Sequence, residues 1–559
     1  MDPTQKGIVV AKHPLAVQAG ASILAQGGNA FDSAVAVGFA LSVVEPYMSG
    51  IGGGKYQLVF RTASGATGAI DAPVVAPAGA IPGSYEVDPE AARGLFGFRG
   101  VKGQANEIGS QAIAVPGVLA GLCLALQRYG SMPLVDVMDP AINFAENGYP
   151  LSWQDIAYIA ASYRRLASFP SSASIFLNDG QVPEPSFQYP LQFAHILKQH
   201  DLGRTLRLIA SNGPDIFYKG SLARIISEEV KAAGGWLSLD DLASYKASEI
   251  ATLSGKYHGW DVVTGPDFQT IEALAILEKF NLAALGHNSV AALHLISQAC
   301  LLAHSTFYDF ITSPECSVPS LASYLDAGHI EQRASMFQLD TRVDAILFPD
   351  EKGLDNVRNG SFTTTGYSTA DQWGNIVSVL QTHGFSFGSG MTVPGTGVLL
   401  NDQMLGFNPE PGTATSLGPG KRRPIPGWPI ICVGPNGNSI AVASPGGNRV
   451  LCALVQTATN VIDFGMHIDS AVAAPRIDCG STPVKRKTIL ASCEIDPTII
   501  QGLEELGHSV EVASTSLVEP GGSPLTFAQP GGLEFSASDG MYLGGNDPYV
   551  SGGVVKPMA

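Results

Sequence analysis

Ser361, Thr363, Thr364 and Thr365 place four hydroxyls within five positions. A hydroxyl attacks an amide only when a base removes its proton. A chain that began at one of these threonines would carry that base itself. Its α-amine has a reference pKa of about 7.7–8.0, so a useful fraction is neutral at physiological pH. On residue types alone, the segment reads as the hydroxyl-rich start of a strand, and Gly446-Gly447 reads as an ordinary turn. Other candidate chemistry is weaker. Ser444 lies in Ser-Pro-Gly-Gly and not in a GxSxG elbow. His13, His287 and His383 lack metal-ligand spacing, and there is no HExxH, so they read as structural histidines. Gly50-Ile51-Gly52-Gly53-Gly54 could cradle a phosphate, but it follows a helix pattern and precedes a strand pattern, the reverse of a dinucleotide fingerprint. It reads as a turn that brings backbones close together.

The seven cysteines, Cys123, Cys300, Cys316, Cys432, Cys452, Cys479 and Cys493, are scattered and contain no CxxC. That pattern suits reduced thiols of a cytoplasmic protein better than disulfides or zinc, so no metal site and no cofactor are expected. Cys432 and Cys452 fall in apolar, strand-like runs. A net charge of −17 argues against a nucleic-acid partner. With 45% apolar and 14% charged residues, the chain is expected to bury a large core. The start of the sequence has no signal-peptide pattern, and no uninterrupted apolar run is long enough for a membrane span.

The elements that must position the threonines follow from periodicity. Helices are predicted over 14–27 and 30–45, then a hairpin of Tyr56–Thr62 with Gly68–Asp71. A helix runs from Val115-Pro116-Gly117 to Gly130. Residues 140–330 read as mostly helical, including Ser221–Ala233 and Val290–Phe310. Gly366–Leu380 alternates like a strand pair around Asp371–Asn375. Short strands and turns follow, with helices near 449–463 and 498–506. Helices and strands on both sides of residue 364 favour a layered α/β/β/α arrangement.

Several segments, in order, resemble the γ-glutamyltransferase family. They are Gly7–Ala16, Gly27–Asp32, Val44-Glu45-Pro46 with Ser49–Gly54, Val115-Pro116-Gly117 with Pro140-Ala141-Ile142, and Gly235–Leu242. In the second half they are Phe387–Gly390, Gly397–Asn401 and Ser444-Pro445-Gly446-Gly447. The resemblance implies an N-terminal-nucleophile hydrolase with a four-layer αββα sandwich built by both halves of one precursor. It implies self-cleavage before a threonine. Counting back from Gly374-Asn375 through Asp371, Ser368 and Tyr367 selects Thr364, with Gly366 in place of the family's usual histidine. The implied parts are a large subunit 1–363 and a small subunit 364–559, paired with each other, with homo-oligomers of such α/β units compatible with this. The resemblance assigns Thr364 as nucleophile, Thr382 as the threonine that holds it, and Gly446 and Gly447 as oxyanion donors.

The sequence departs from the family where the γ-glutamyl head group would be read. The family's D-x-R-E-x-A-P arginine position holds Pro73, and the aspartate of N-N-x-M-D gives way to Gly406. A Ser-Ser pair becomes Pro426-Gly427 and a pocket asparagine becomes Gly384, leaving Gln403. The P-P-S-S-G-G segment is replaced by Gly265–Thr270. Charge-assisted contacts contribute about 1.5–3 kcal/mol each. A small-molecule amide with a different acyl group is therefore expected, as in oxamate amidohydrolase-like and cephalosporin-acylase-like relatives. A γ-glutamyl enzyme with a rebuilt pocket and a catalytically silent scaffold are the alternatives. Lys421-Arg422-Arg423 is the candidate substitute cation, next to a lid-like loop 408–420. Its plain alternative is a surface anchor for that loop.

Overall fold

The computed structural model describes residues 7–94, 96–184, 195–314, 320–343, 362–423, 427–479, 488–513, 527–548 and 553–555. Two antiparallel sheets stack face to face. The seven-stranded sheet runs in the order Gly553–Val555, Gly7–Ala11, Phe362–Asp371, Ile376–Phe385, Lys55–Arg61, Thr67–Ala72, Ser248–Ile250. The six-stranded sheet runs Met541–Asn546, Gly531–Ser536, Ser439–Ala443, Ile430–Val433, Trp260–Thr264, Leu253–Tyr257. Alternate side chains along a strand point to opposite faces, and the cores sort accordingly. Ile8, Val10, Val59, Ala370 and Ile376 meet Ile431, Ala441 and Leu533 between the sheets. Val9, Leu58, Phe60, Tyr367 and Val379 face the opposite way, onto helices Pro14–Ala25, Ala30–Val44 and Val118–Tyr129. Tyr257, Val262, Cys432, Ile440 and Val442 face helices Phe268–Leu277, Val290–Thr312 and Val450–Ile462. The result is the expected αββα sandwich. Each sheet draws strands from both sides of residue 364, so the halves are interleaved.

Most predicted elements appear within a residue or two of their expected bounds. Helix Ala30–Val44 is buried on every side, and its start is fixed by a capping box between Asn29 and Asp32. Residues 140–330 are mostly helical, as expected, with short strands that the pattern did not show. Ser248–Ile250, Leu253–Tyr257 and Trp260–Thr264 are strands that enter the two sheets. Their apolar pattern is diluted by Ser254, Gly255 and Lys256. The turn between the latter two, His258-Gly259, has positive φ at both residues, 45° and 81°, the signature of a tight hairpin. Cys452 lies on helix Val450–Ile462, not on a strand. One helix, Val290–Thr312, has the length and apolarity of a membrane span, but 89% of its most apolar window is buried inside the fold.

Candidate active site

Strand Phe362–Asp371 sorts the three threonines. Thr363 and Thr365 point toward the helical layer and are buried. The Thr363 hydroxyl donates to the Tyr47 carbonyl at 2.8 Å, and the Thr365 hydroxyl donates to Glu45 Oε2 at 2.7 Å. Thr364 points the other way, toward the second sheet. It is only partly buried, and its hydroxyl has no partner among the described residues. It lines a narrow cleft of about 10 Å³, shared with Met48, Thr363, Pro445, Gly446, Arg449 and Gln529.

The opposite wall is the turn that leaves strand Ser439–Ala443. Gly446 has φ 148° and Gly447 φ 61°, both in the region that disfavours side chains. A Cβ at Gly446 would lie 2.5 Å from the Ala528 Cβ. Neither glycine amide donates a hydrogen bond within the described residues, so both are available to an oxyanion. The turn is held from behind: Arg449 Nε donates to the Gly446 carbonyl at 3.1 Å, and Asn448 Nδ2 donates to the Tyr308 hydroxyl at 3.2 Å. Ser444 is buried, and its hydroxyl is turned onto the Pro445 carbonyl. Gly447→Val is expected to abolish turnover with the fold retained, at a cost of about 1–3 kcal/mol because a β-branched residue is strained at this positive φ. Near-normal turnover of that variant would remove the pair from the site.

Thr382 is placed differently from its expected role. Its hydroxyl donates at 2.5 Å to the carbonyl of Thr363, not to Thr364. The Gly384 amide in turn donates to Thr382 Oγ1 at 2.9 Å. The glycine turn Ser49–Gly54 locks this strand end. The Gly54 amide donates to the Thr382 carbonyl at 3.1 Å, and a Cβ at Gly52 would lie 2.2 Å from the Leu399 carbonyl oxygen. Close backbone approach is thus its use, as its composition suggested. His13 caps helix Pro14–Ala25 through Nδ1, a structural role.

The departures from the family pattern converge. Gly384, with φ 122°, leaves room for Asp402 and Gln403; a Cβ there would lie 2.0 Å from Asp402 Oδ1 and 3.2 Å from Gln403 Nε2. Arg423 reaches the same place. Its Nη2 donates to Gln403 Oε1 at 3.5 Å, and its Nη1 lies 0.9 Å from where a Cβ of Gly406 would stand. The guanidinium fills the space left by the missing side chain. The surface-anchor reading fits only part of the basic run. Arg422 is exposed and Lys421 partly so, whereas Arg423 is 5% exposed. Backbone bonds put Arg423 beside Pro73's strip: its amide donates to the Val74 carbonyl at 3.1 Å, and the Ala76 amide donates to the Lys421 carbonyl at 3.0 Å. Pro73 itself is buried, and its carbonyl accepts from the Tyr245 hydroxyl. Gly427 is buried and its amide donates to Asp267 Oδ2 at 2.8 Å. Pro426 lies outside the described residues.

Three charged residues went unassigned in the sequence. Lys12, next to the histidine of the first segment, donates from Nζ to the carbonyl of Gln529, 517 positions away, at 2.7 Å. Glu45, in Val44-Glu45-Pro46, is buried, and burial pushes its carboxyl up to about 7. Burial also pushes the Lys55 ammonium down to about 7, and the nearby Arg423 charge adds to this. The segment containing Glu45 was legible as a motif, but its pairing with Thr365 depends on tertiary contact.

A threonine at a strand start, facing a backbone-amide turn across a cleft in an αββα sandwich, defines the class of N-terminal-nucleophile hydrolases. The chain belongs to the gamma-glutamyltranspeptidase family, whose profile matches residues 16–524. It is 32% identical to the "Acylase ACY 1 proenzyme" of Pseudomonas sp. (strain SE83) over 99% of this chain and 95% of that one. It is 30% identical to the "Glutathione hydrolase proenzyme" of Bacillus subtilis (strain 168) over 99% of this chain and 92% of that one. The crystal structure of cephalosporin acylase from Bacillus halodurans superposes with a TM-score of 0.82 at 25% identity, covering 99% of this chain and 96% of the other. The protein is an amide-bond hydrolase or acyltransferase of this family.

Proposed function

We propose that the chain cleaves itself between Thr363 and Thr364, and that Thr364 then hydrolyses or transfers the acyl group of a small amide whose acyl end carries a carboxylate. The observation that carries the nucleophile assignment is the sorting of the hydroxyls: those of Thr363 and Thr365 are committed to Tyr47 and Glu45, whereas that of Thr364, in the same cleft, is left without a partner among the described residues. Relatives whose names include "proenzyme" support the self-cleavage.

The first step is an N-to-O acyl shift. Thr364 Oγ1 attacks the Thr363 carbonyl carbon, and the Thr382 hydroxyl, already on that carbonyl oxygen, stabilises the developing charge. The hydroxyl proton passes to the Thr364 nitrogen as the C–N bond breaks, that nitrogen becomes the α-amine of Thr364, and water hydrolyses the ester to leave a carboxylate on Thr363. Departure of Thr363 from beside Gly384 opens a path toward Gln403 and Arg423. In turnover, the α-amine takes the hydroxyl proton as Oγ1 attacks the substrate carbonyl, with Gly446 and Gly447 on the oxyanion. That proton passes to the leaving amine, and water or an acceptor amine resolves the acyl-threonine.

Arg423 supports a carboxylate-bearing acyl group. It is buried, its Nε and Nη1 have no hydrogen-bond partner among the described residues, and burial pushes its guanidinium down to about 9, with Asp402 opposing. A γ-glutamyl reading is favoured by the glutathione hydrolase relative, but a cation at Gly406 repels an ammonium. A panel containing oxamate, other dicarboxylic monoamides and γ-glutamyl anilide tests this. Preference for the monoamides is expected, whereas a γ-glutamyl anilide specificity constant of about 10⁴ M⁻¹s⁻¹ or more would restore the γ-glutamyl reading.

The pH profile gives a second check. Burial, and next the nearby Arg423 charge, push the Lys55 ammonium down to about 7 against Asp71 and Asp267, so below about 7 Lys55 adds a second positive charge near Arg423 and above it that charge is lost. The KM for a carboxylate-bearing amide should therefore rise as pH increases through about 7, and Lys55→Met should flatten that step. The kcat limb moves oppositely, rising as the α-amine deprotonates near its reference pKa of about 7.7–8.0. A KM independent of pH in the intact enzyme would remove Lys55 from the substrate's surroundings.

A further inference from the structure

Although the sequence spacing predicted no metal site, the fold gathers three cysteines in the core behind the second sheet. Cys300 lies on helix Val290–Thr312, Cys452 on the first turn of helix Val450–Ile462, and Cys479 at the end of strand Ile477–Cys479. Their exposures are 0%, 1% and 3%. Their Sγ atoms all lie within 4.8 Å of one another, and those of Cys452 and Cys479 are 3.6 Å apart. Backbone carbonyls border the group: the Cys479 thiol donates to Ser297 at 3.4 Å, and the Cys452 thiol donates to Cys479 at 3.6 Å.

These separations match a shared ion better than a disulfide. Three sulfurs at about 2.3 Å from one ion in a trigonal plane stand about 4 Å apart, whereas a disulfide requires about 2.05 Å. No histidine, carboxylate or fourth cysteine completes the group among the described residues. A closed zinc site needs four ligands. The buried Asp478 carboxylate is near enough to raise all three thiols. Three thiolates are the ligand set of a soft ion, and Cu(I), one of the ions that thiolates select, is satisfied by three sulfurs.

We propose that Cys300, Cys452 and Cys479 form a binding site for one Cu(I) ion. Each Cu–S bond that forms displaces one thiol proton to solvent, and no electron is transferred. The ion would join the helix Val290–Thr312 of the first half of the chain to the helix that begins directly after Gly446-Gly447. It would therefore brace the base of the oxyanion turn from the large-subunit side. The site is independent of the substrate reading, because it uses no residue of the cleft.

The test uses the full-length purified protein under anaerobic, reducing conditions. It is loaded with Cu(I) from a weak chelator complex, desalted and measured by elemental analysis and X-ray absorption. One copper per chain with three sulfur neighbours at about 2.3 Å is expected, together with a higher Tm than the copper-free protein, since a ligand that binds only the folded state stabilises it. Cys452→Ser and, separately, Cys300→Ala should each lose the retained copper. Cys493→Ser, which alters an exposed thiol outside the group, should keep it. Circular dichroism of each variant separates loss of the site from loss of the fold. Absence of retained copper in the wild type would overturn the proposal. So would equal retention by folded Cys452→Ser, retention of zinc in its place, or a native Cys452–Cys479 disulfide found by thiol counting.

Discussion

Thr364→Ala is expected to give a single uncut chain that has lost turnover by about 10⁴-fold or more. The variant removes both the attacking hydroxyl and the route to a free α-amine, so cleavage and catalysis fail together. The fold should persist, because Thr364 is partly exposed and its hydroxyl bonds nothing among the described residues. Thr364→Ser should still cut. A Thr365 variant should cut less well or fold less stably, since it leaves the buried Glu45 carboxyl without its donor. Thr382→Val adds a distinct readout. It removes the donor on the carbonyl to be attacked, and loss of one such donor costs about 10²–10³ in rate. Its self-cleavage should slow by that order, and Thr382→Ser should restore it. A time course on a denaturing gel, with intact mass of the products, measures both. A mature fragment starting at Thr363 or Thr365 would refute the register, and an active uncut protein would refute the mechanism.

The reasons these residues act together were only partly visible in the chain. Periodicity located the helices Ala30–Val44 and Val450–Ile462 and the strand pair around Asp371–Asn375, because each is a local pattern with clear ends. Alternation along Phe362–Asp371 would also have separated Thr364 from its neighbours, had the burial of each face been known. What stayed hidden rests on contacts between distant segments. Nothing near Lys12 signals Gln529, and nothing near Cys300 signals Cys452 and Cys479. The strand Leu253–Tyr257 was lost because its exposed face carries Ser254 and Lys256 and its middle residue is Gly255. Arg423 could be nominated as a cation from the basic run. Its burial, and the void at Gly406 that admits it, required the backbone pairing of residues 421–423 with 74–76.

Arg423→Met should lower kcat/KM for a carboxylate-bearing amide by about 10–10²-fold, the size of one charge-assisted hydrogen bond. Most of the loss should fall on KM, because the contact is made in ground and transition states alike. The geometry makes residues 406 and 423 mutually exclusive. With Nη1 0.9 Å from the position of a Gly406 Cβ, no side chain can enter at 406 until the guanidinium leaves. Gly406→Asp alone should therefore fold poorly or displace Arg423, whereas Gly406→Asp with Arg423→Met removes the steric conflict and exchanges a cation for an anion. The double variant should turn preference toward substrates with an ammonium on the acyl group. Against the wild type, the ratio of kcat/KM values for γ-glutamyl anilide and a dicarboxylic monoamide should shift by about 10²–10⁴-fold, two such contacts compounded. Stability distinguishes this from a packing effect. Arg423 is buried with two nitrogens unpartnered among the described residues, so a methionine of similar reach removes a desolvation cost and should leave Tm equal or raised. Retained Tm with lost monoamide affinity would identify Arg423 as the residue that reads the acyl end. Unchanged kcat/KM for every monoamide in a folded Arg423→Met protein would show that the guanidinium only fills the void at Gly406.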